Sequence, residues 1–150
     1  MELVLIREIS LNSFNSYLTM KIIDTSLLDS VTEQATKSPR LRMNHNFHES
    51  MEVKSQRLLN ALEPGTEIPI HRHRTTAETY ILLRGTIGVL FYNNEREIIE
   101  TTELNPLKGK YGIDIPAGQW HTLEVLEPGT VIFEVKDGPY RAIGDEDVLL

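Results

Sequence analysis

Short apolar segments, each ended by turn-forming residues, dominate the chain from Gln56 onward. Leu58–Leu62 ends at Pro64-Gly65, and Thr79–Leu83 ends at Arg84-Gly85. The segments that follow at nearly even spacing are Thr86–Tyr92, Ile98–Thr101, Ile113–Ile115, Thr122–Leu126 and Val131–Lys136. Many short strands separated by turn signals indicate a sandwich or small barrel rather than alternating strands and helices. We therefore expect an all-β domain.

One helix is predicted ahead of these strands. Ser26 and Asp29 form an S-x-x-D start, and the helical pattern stops at Ser38-Pro39 because proline has no amide donor. A length of 150 residues fits one domain. We divide the chain into an N-terminal extension (1–19), a helical and loop lead-in (20–55), a barrel (56–140) and a C-terminal tail (141–150).

Composition excludes several classes of protein. The chain has 22 acidic and 15 basic residues and a net charge of -7, which opposes the phosphate neutralisation that nucleic-acid binding requires. It has no cysteine, so disulfides and thiolate zinc sites are excluded. No apolar run approaches the ~20 residues that span a bilayer, and the N-terminus lacks the basic start of a secretory signal. We predict a cytoplasmic protein that binds neither nucleic acid nor membrane.

Three histidines and one glutamate have the spacing of a metal site. His71 and His73 lie two residues apart in a predicted strand, so both imidazoles face the same side. Residues 74–77 can turn the chain, and an antiparallel return would place Glu78 beside them. His121 begins a later strand after a turn. Three neutral nitrogens and one carboxylate suit one divalent transition metal such as Zn, Fe, Mn or Ni, with positions left for water or ligand.

Two motifs that contain these residues resemble the cupin superfamily. They are Gly65-x5-His71-x-His73-x4-Glu78-x6-Gly85 and Pro116-x-Gly118-x2-His121. The resemblance implies a double-stranded β-helix, the jelly-roll barrel, in which the three histidines and the glutamate are metal ligands. Lys110 and Val125 stand where cupins usually have a glycine and an asparagine. Neither position is a ligand, so the departures concern loop geometry and pocket polarity rather than the metal.

A narrower set of segments resembles the WbuC-type cupin-fold metalloproteins. The matching segments are Ser38–Arg42, Asn46–His48, Leu58–Gly65, Ile115–Thr122 and Phe133–Tyr140. This similarity covers residues 20–140, which supports treating 1–19 as an extension. The family is often associated with bacterial polysaccharide gene clusters, so the resemblance implies a role in polysaccharide biosynthesis.

Four further residues are predicted to bind substrate. Tyr80 lies on the same strand face as Glu78. Either its hydroxyl is aimed at a ligand, or Tyr80 is an ordinary aromatic residue of the barrel interior. Asn46 and His48 share one face of an extended segment that can cross the pocket mouth, and His48 is the candidate catalytic residue. Asn60 is an amide in an otherwise apolar strand, which either binds ligand or braces a loop.

The predicted site residues favour an enzyme, but they do not identify its reaction. We predict a metal-dependent isomerase, epimerase or hydrolase that acts on a small sugar or sugar-derived molecule. An iron-dependent dioxygenase and a non-catalytic metal-dependent sugar-binding or sensor module are the alternatives. Metal-free sugar-epimerase cupins lack the HxH and glutamate cluster, so this sequence argues against them. We also expect a homodimer, because jelly-roll sheets have edge strands that pairing would cover. Glu134 and Lys136, two residues apart on one strand, are predicted to form a solvated ion pair.

Overall fold

Two five-stranded antiparallel sheets face each other in the computed structural model, which describes residues 20–150. The predicted extension 1–19 lies outside the described residues. The elements are α1 (Thr25–Lys37), β1 (Arg42–Asn46), β2 (Ser55–Leu62), β3 (Ile70–His71), β4 (Glu78–Arg84), β5 (Ile87–Tyr92), β6 (Ile98–Leu104), β7 (Gly112–Ile115), β8 (Trp120–Val125), β9 (Thr130–Asp137) and β10 (Val148–Leu149). Two single turns of 3₁₀ helix, Pro106–Lys108 and Asp145–Asp147, complete them.

The strand order confirms the predicted all-β jelly roll. One sheet has the order β1-β2-β9-β4-β7, and the other has the order β10-β3-β8-β5-β6. Strands that are distant in sequence are neighbours in both sheets, because the chain winds between them. The inner faces pack an apolar core that includes Leu62, Leu82, Ile87, Val89 and Ile132. Several polar residues are also buried, among them His71, Glu78, His121 and Glu134.

The helix α1 covers part of the outer face of the first sheet. Its N-cap is Asp24, two residues before the predicted Ser26, and the Asp24 side chain accepts a hydrogen bond from the Leu27 amide at 3.0 Å. It ends at Lys37, directly before Ser38, as predicted. Val31 and Ala35 are buried in a second apolar cluster with β2 and β9. No helix in residues 20–150 is long and apolar enough to cross a membrane.

Both segments flanking the predicted barrel add strands to it. In the lead-in, β1 pairs antiparallel with β2 and places Asn44 opposite Asn60. In the tail, β10 pairs with β3 and places Val148 opposite His71. The sequence of β1 is polar and has no clear alternation of apolar and polar residues, so the sequence pattern does not predict a strand there. Backbone pairing along an edge of β2 stabilises it instead.

The structure explains why one position of the first motif, Gly85, is a glycine. Gly85 lies between β4 and β5 with a φ of +88°, a conformation that residues with a side chain rarely adopt. A Cβ at this position would also collide with Thr130. The motif glycine therefore permits the tight passage of the chain from one sheet to the other.

Candidate metal centre

The three predicted histidine ligands come together inside the barrel, beside the apolar core. His71 at the end of β3 lies directly opposite His121 of β8 in the strand register, and their ring centroids are 4.4 Å apart. His73 follows two residues later, with its ring centroid 5.3 Å from that of His71 and 6.3 Å from that of His121. His71 and His121 lie in strands of the second sheet, and His73 lies in the segment that directly follows β3.

Glu78 completes the group from the opposite sheet. It is the first residue of β4 and is 2% exposed. Its Oε2 lies 3.2 Å from Nε2 of His121, and its Oε1 lies 3.5 Å from Nε2 of His73. The ligand atoms of His71, His73 and Glu78 all lie within 4.8 Å of one another, so these three residues could hold a metal ion. The structure thus brings all four predicted ligands together, and their action as ligands stays a prediction.

Backbone contacts fix the tautomer of two histidines. Nδ1 of His71 lies 2.9 Å from the carbonyl oxygen of Pro69, and Nδ1 of His121 lies 2.9 Å from that of Gln119. A carbonyl only accepts hydrogen bonds, so in the neutral form of either imidazole Nδ1 carries the proton and Nε2 keeps its lone pair. This arrangement, with Nδ1 held by the backbone and Nε2 free to bind, is typical of metal-ligating histidines.

The donor set itself fits a metal ion. With Nδ1–H of His121 directed at a carbonyl, its Nε2 and the Oε2 of Glu78 are two buried hydrogen-bond acceptors 3.2 Å apart. Two acceptors at this distance repel each other unless a proton or a metal cation lies between them. Nitrogen and carboxylate donors of this kind suit first-row divalent metals.

Burial and charge tune the pKa values of this group. Burial, followed by the charge of His121, lowers the pKa of His71 to about 4, so its imidazole is neutral at pH 7. Burial alone would raise the pKa of the Glu78 carboxyl, but its neighbours outweigh burial and hold that pKa well below the usual range. The responsible neighbours are His121, His73, Glu134 and Lys136. Neutral imidazole and ionised carboxylate are the forms that bind a metal.

The prediction of a solvated ion pair for Glu134 and Lys136 was wrong. Lys136 Nζ donates to Oε1 of Glu134 at 3.1 Å, but both side chains lie inside the cavity, and the Glu134 residue is only 8% exposed. In the register of β4 and β9, Lys136 lies opposite Glu78 and Glu134 lies opposite Tyr80. The sequence held one indication of this inward orientation. Ile132 is apolar, and it shares one face of the strand with Glu134 and Lys136 because the three are spaced two residues apart.

Tyr80 contacts a predicted ligand rather than open space. Its hydroxyl donates to Oε2 of Glu78 at 2.7 Å, and the residue is buried. Burial, then the charges of Glu78 and Glu134, raises the Tyr80 pKa well above its usual value. The hydroxyl therefore stays protonated and acts as a fixed hydrogen-bond donor to the carboxylate.

The other predicted site residues divide between two places. Asn60 lines the cavity of about 270 Å³ at the metal centre, and its Oδ1 is buried without a partner among residues 20–150. Asn46 is exposed, and Nδ1 of His48 lies 3.2 Å from the backbone nitrogen of Arg57. Neither of these two lines the cavity of the single chain, whereas Asn44 does. A substrate role for Asn46 and His48 therefore stays a prediction without a supporting contact.

A family model agrees with the chain over more than half of its length. The family described as "Domain of unknown function (DUF6016)" matches residues 23–104. This range includes His71, His73 and Glu78 and ends before His121. No curated protein sequence matches the chain.

Solved structures show the cupin fold for this chain. The cupin domain of Cnp3 from Schizosaccharomyces pombe is similar at a TM-score of 0.52 and 11% identity, over 64% of each chain. The capsular polysaccharide assembling protein CapF from Staphylococcus aureus has a TM-score of 0.52 and 24% identity, over 67% of this chain and 28% of that chain. Oxalate decarboxylase from Bacillus subtilis, which has Mn(II) centres, has a TM-score of 0.51 and 17% identity, over 67% of this chain and 26% of that chain. The match thus spans about a quarter of each of the last two proteins.

Proposed function

Since this chain belongs to the DUF6016 family, whose description assigns no activity, we propose its function from the site: a metal-dependent enzyme of the isomerase, epimerase or hydrolase type. The substrate is a small sugar or sugar-derived molecule. The observation that carries the proposal is the group of His71, His73, Glu78 and His121 with a second, adjacent buried pair, Glu134 and Lys136. A site that only stored a metal would not need that second pair.

The four predicted ligands would hold one divalent metal through Nε2 atoms and a carboxylate oxygen. Zn, Fe, Mn and Ni all accept this donor set. When bound, such a metal polarises a carbonyl or lowers the pKa of a bound water. Tyr80 and Lys136 hold the two oxygens of Glu78 at 2.7 and 3.1 Å, which keeps that carboxylate oriented toward the histidines.

Glu134 is the candidate acid and base of the proposed reaction. Burial, then the charge of Glu78, raises its pKa to about 8, which is near the operating pH that favours general acid–base catalysis. Its carboxyl group lines the same cavity as the histidines, within reach of a molecule bound there. In an isomerisation it would take a proton from the carbon beside a carbonyl and return it to the neighbouring carbon or oxygen. Lys136 would donate a hydrogen bond to the substrate oxygen that gains negative charge.

Sugar chemistry is proposed partly from the comparisons. CapF is a capsular polysaccharide assembling protein, and the segments quoted above resemble the WbuC-type family. We extend both associations to this chain as a proposal that it acts in polysaccharide biosynthesis in the cytoplasm. The cavity supports this choice, because its lining carries both donors and acceptors for hydroxyl groups, among them Arg42, Asn44 and Asn60.

Metal analysis and turnover together test the proposal. We expect the purified protein to contain about one equivalent of divalent metal per chain, and His73→Ala and His121→Ala to lose it. Loaded protein should convert members of a panel of aldoses, ketoses and sugar acids without consuming oxygen. Glu134→Gln should keep the metal and lose turnover. Iron content with oxygen-dependent turnover would instead indicate a dioxygenase, and ligand binding without any turnover a non-catalytic module.

A further inference from the structure

A second cavity of about 380 Å³ adjoins the metal cavity. The two share His73, Lys136 and Ile143 in their linings, so they meet directly beside the candidate metal centre. Residues 141–144 and Asp147 of the C-terminal tail form one wall of the second cavity. A molecule bound at the metal centre therefore has this second space next to it.

Gln56 lines the second cavity with a donor that the chain does not use. The residue is 3% exposed and lies opposite Lys136 in the register of β2 and β9. Its Nε2 is buried, and no atom of residues 20–150 accepts a hydrogen bond from it. Burying an amide donor without a partner costs free energy, so such groups are uncommon in native structures. The amide is therefore suited to an acceptor that a bound molecule supplies.

The lining of the second cavity favours an uncharged, oxygen-rich group. It contains four basic and three acidic residues, so no single sign of charge dominates. Asp147 is also neutralised locally, because its Oδ1 accepts from Arg72 Nε at 2.9 Å and from Arg74 Nε at 2.6 Å. The second cavity is larger than the metal cavity of about 270 Å³, so its volume is sufficient for a second unit of the size that the first accommodates.

We propose that the second cavity binds a second, uncharged sugar unit of the substrate, and that the Gln56 amide donates a hydrogen bond to one of its oxygens. This inference rests on the proposed function, because the metal centre must hold the first unit. It makes Gln56 a specificity-determining residue and makes the substrate a disaccharide or sugar conjugate rather than a single monosaccharide.

Gluconate and lactobionate provide a matched pair of probes. Both present a carboxylate and the same C2 and C3 hydroxyl groups to a divalent metal, and lactobionate carries an additional galactose unit on O4. Calorimetry on the metal-loaded full chain should show about tenfold tighter binding of lactobionate than of gluconate. Gln56→Leu should bind the two equally, and its melting temperature should not fall below that of the wild type, because no protein partner is lost. Asn60→Leu, at the metal cavity, should weaken both ligands and keep their ratio.

Two results would overturn the inference, and they are distinguishable from failure of the proposed function. Metal-dependent gluconate binding with no gain from the galactose unit would leave the proposed function standing and remove the second subsite. A tenfold preference that persists in Gln56→Leu, together with a lower melting temperature, would show that Gln56 is structural. If neither ligand binds in the presence of metal, the proposal of a sugar or sugar-derived substrate at the metal centre fails, and this inference fails with it.

Discussion

Nζ of Lys136 lies 3.1 Å from Oε1 of Glu78, and this contact joins β9 to the candidate metal centre. The same ammonium lies 3.1 Å from Oε1 of Glu134, so one buried cation serves two buried carboxylates. A metal at the centre would neutralise part of the same charge. The stability of the protein should therefore depend on Lys136 more strongly without metal than with it.

Lys136→Met tests this dependence. In metal-free protein it leaves the buried Glu78 carboxylate and the neighbouring Glu134 carboxyl group without their cation, and we expect a loss of about 3–5 kcal/mol in the free energy of unfolding. Urea unfolding with and without added metal should show that the metal restores part of this loss. Lys108→Met is the matched control, because its pair with Glu103 is at the surface and should contribute less than about 1 kcal/mol. An equal, small loss in both variants would contradict a buried role for Lys136.

Tyr80→Phe should weaken metal binding without unfolding the barrel. The variant removes the hydroxyl that donates to Oε2 of Glu78 at 2.7 Å and keeps the buried ring. Loss of such an outer contact to a metal ligand typically lowers affinity about 10–100-fold. Competition with a chromophoric chelator measures this change. Tyr111→Phe, at an exposed tyrosine, serves as control, and equal affinities for the two variants would refute the role assigned to Tyr80.

The sequence predicted which side chains come together at the candidate metal centre, because part of their geometry is encoded in short spacings. His71 and His73 are two residues apart in an extended segment, and this spacing alone puts both rings on one side. The contact between His121 and Glu78, which come from opposite sheets, depends on the closure of the barrel. The resemblance of the two motifs to cupins predicted that the sheets close into a barrel. The pattern of apolar and polar residues alone could not predict it.

The rest of the cavity could not be predicted from local pattern. Glu134 and Lys136 are charged residues in a strand, and such residues usually face solvent. Their inward orientation follows from the register of β4 and β9, a long-range property that the strand sequence does not contain. Asn44 lines the cavity where Asn46 was expected, because β1 leaves the cavity before it reaches Asn46.

His71 should make metal-free protein sensitive to acid. Burial, followed by the charge of His121, lowers its folded-state pKa to about 4 from 6.5. For a lowered pKa, the contribution to stability is complete above pH 6.5 and is lost as the pH falls toward 4. The loss is on the order of 3 kcal/mol. Urea unfolding at several pH values should show this decline in the wild type and not in His71→Asn. His45→Gln is the control variant, and a wild-type profile that stays flat from pH 6.5 to 4 would contradict the prediction.

A homodimer is expected from the open edges of the two sheets. The edge strands of the first sheet are β1 and β7, and those of the second are β10 and β6. Light scattering at micromolar concentration should give a mass twice that of the 17.1 kDa chain. Deletion of residues 1–19 tests whether the extension contributes to pairing. A monomer mass for the full chain would rule out a stable dimer, and an unchanged dimer after deletion would remove only the extension from the interface.

Asp147 should control how readily the C-terminal tail releases from the metal cavity. Its Oδ1 accepts from Arg72 and Arg74, and its backbone oxygen accepts from the Arg72 amide at 3.1 Å. Next in the chain, Val148 pairs with His71, so loosening the tail disturbs the strand that carries a predicted ligand. Asp147→Asn removes the charge and weakens the contacts to both arginines. We therefore expect faster transfer of metal to a chelator than in the wild type.

Hydrogen exchange can localise the effect of Asp147→Asn. Amides of residues 145–149 should exchange faster, whereas those of β2 and β9 should not change, because the tail pairs with β3 and not with that sheet. Glu146→Gln removes the same charge one residue away, where the side chain has no ion pair among residues 20–150, and should behave as the wild type. Faster metal transfer without faster exchange in the tail would mean that Asp147 acts on the metal centre through its arginines alone.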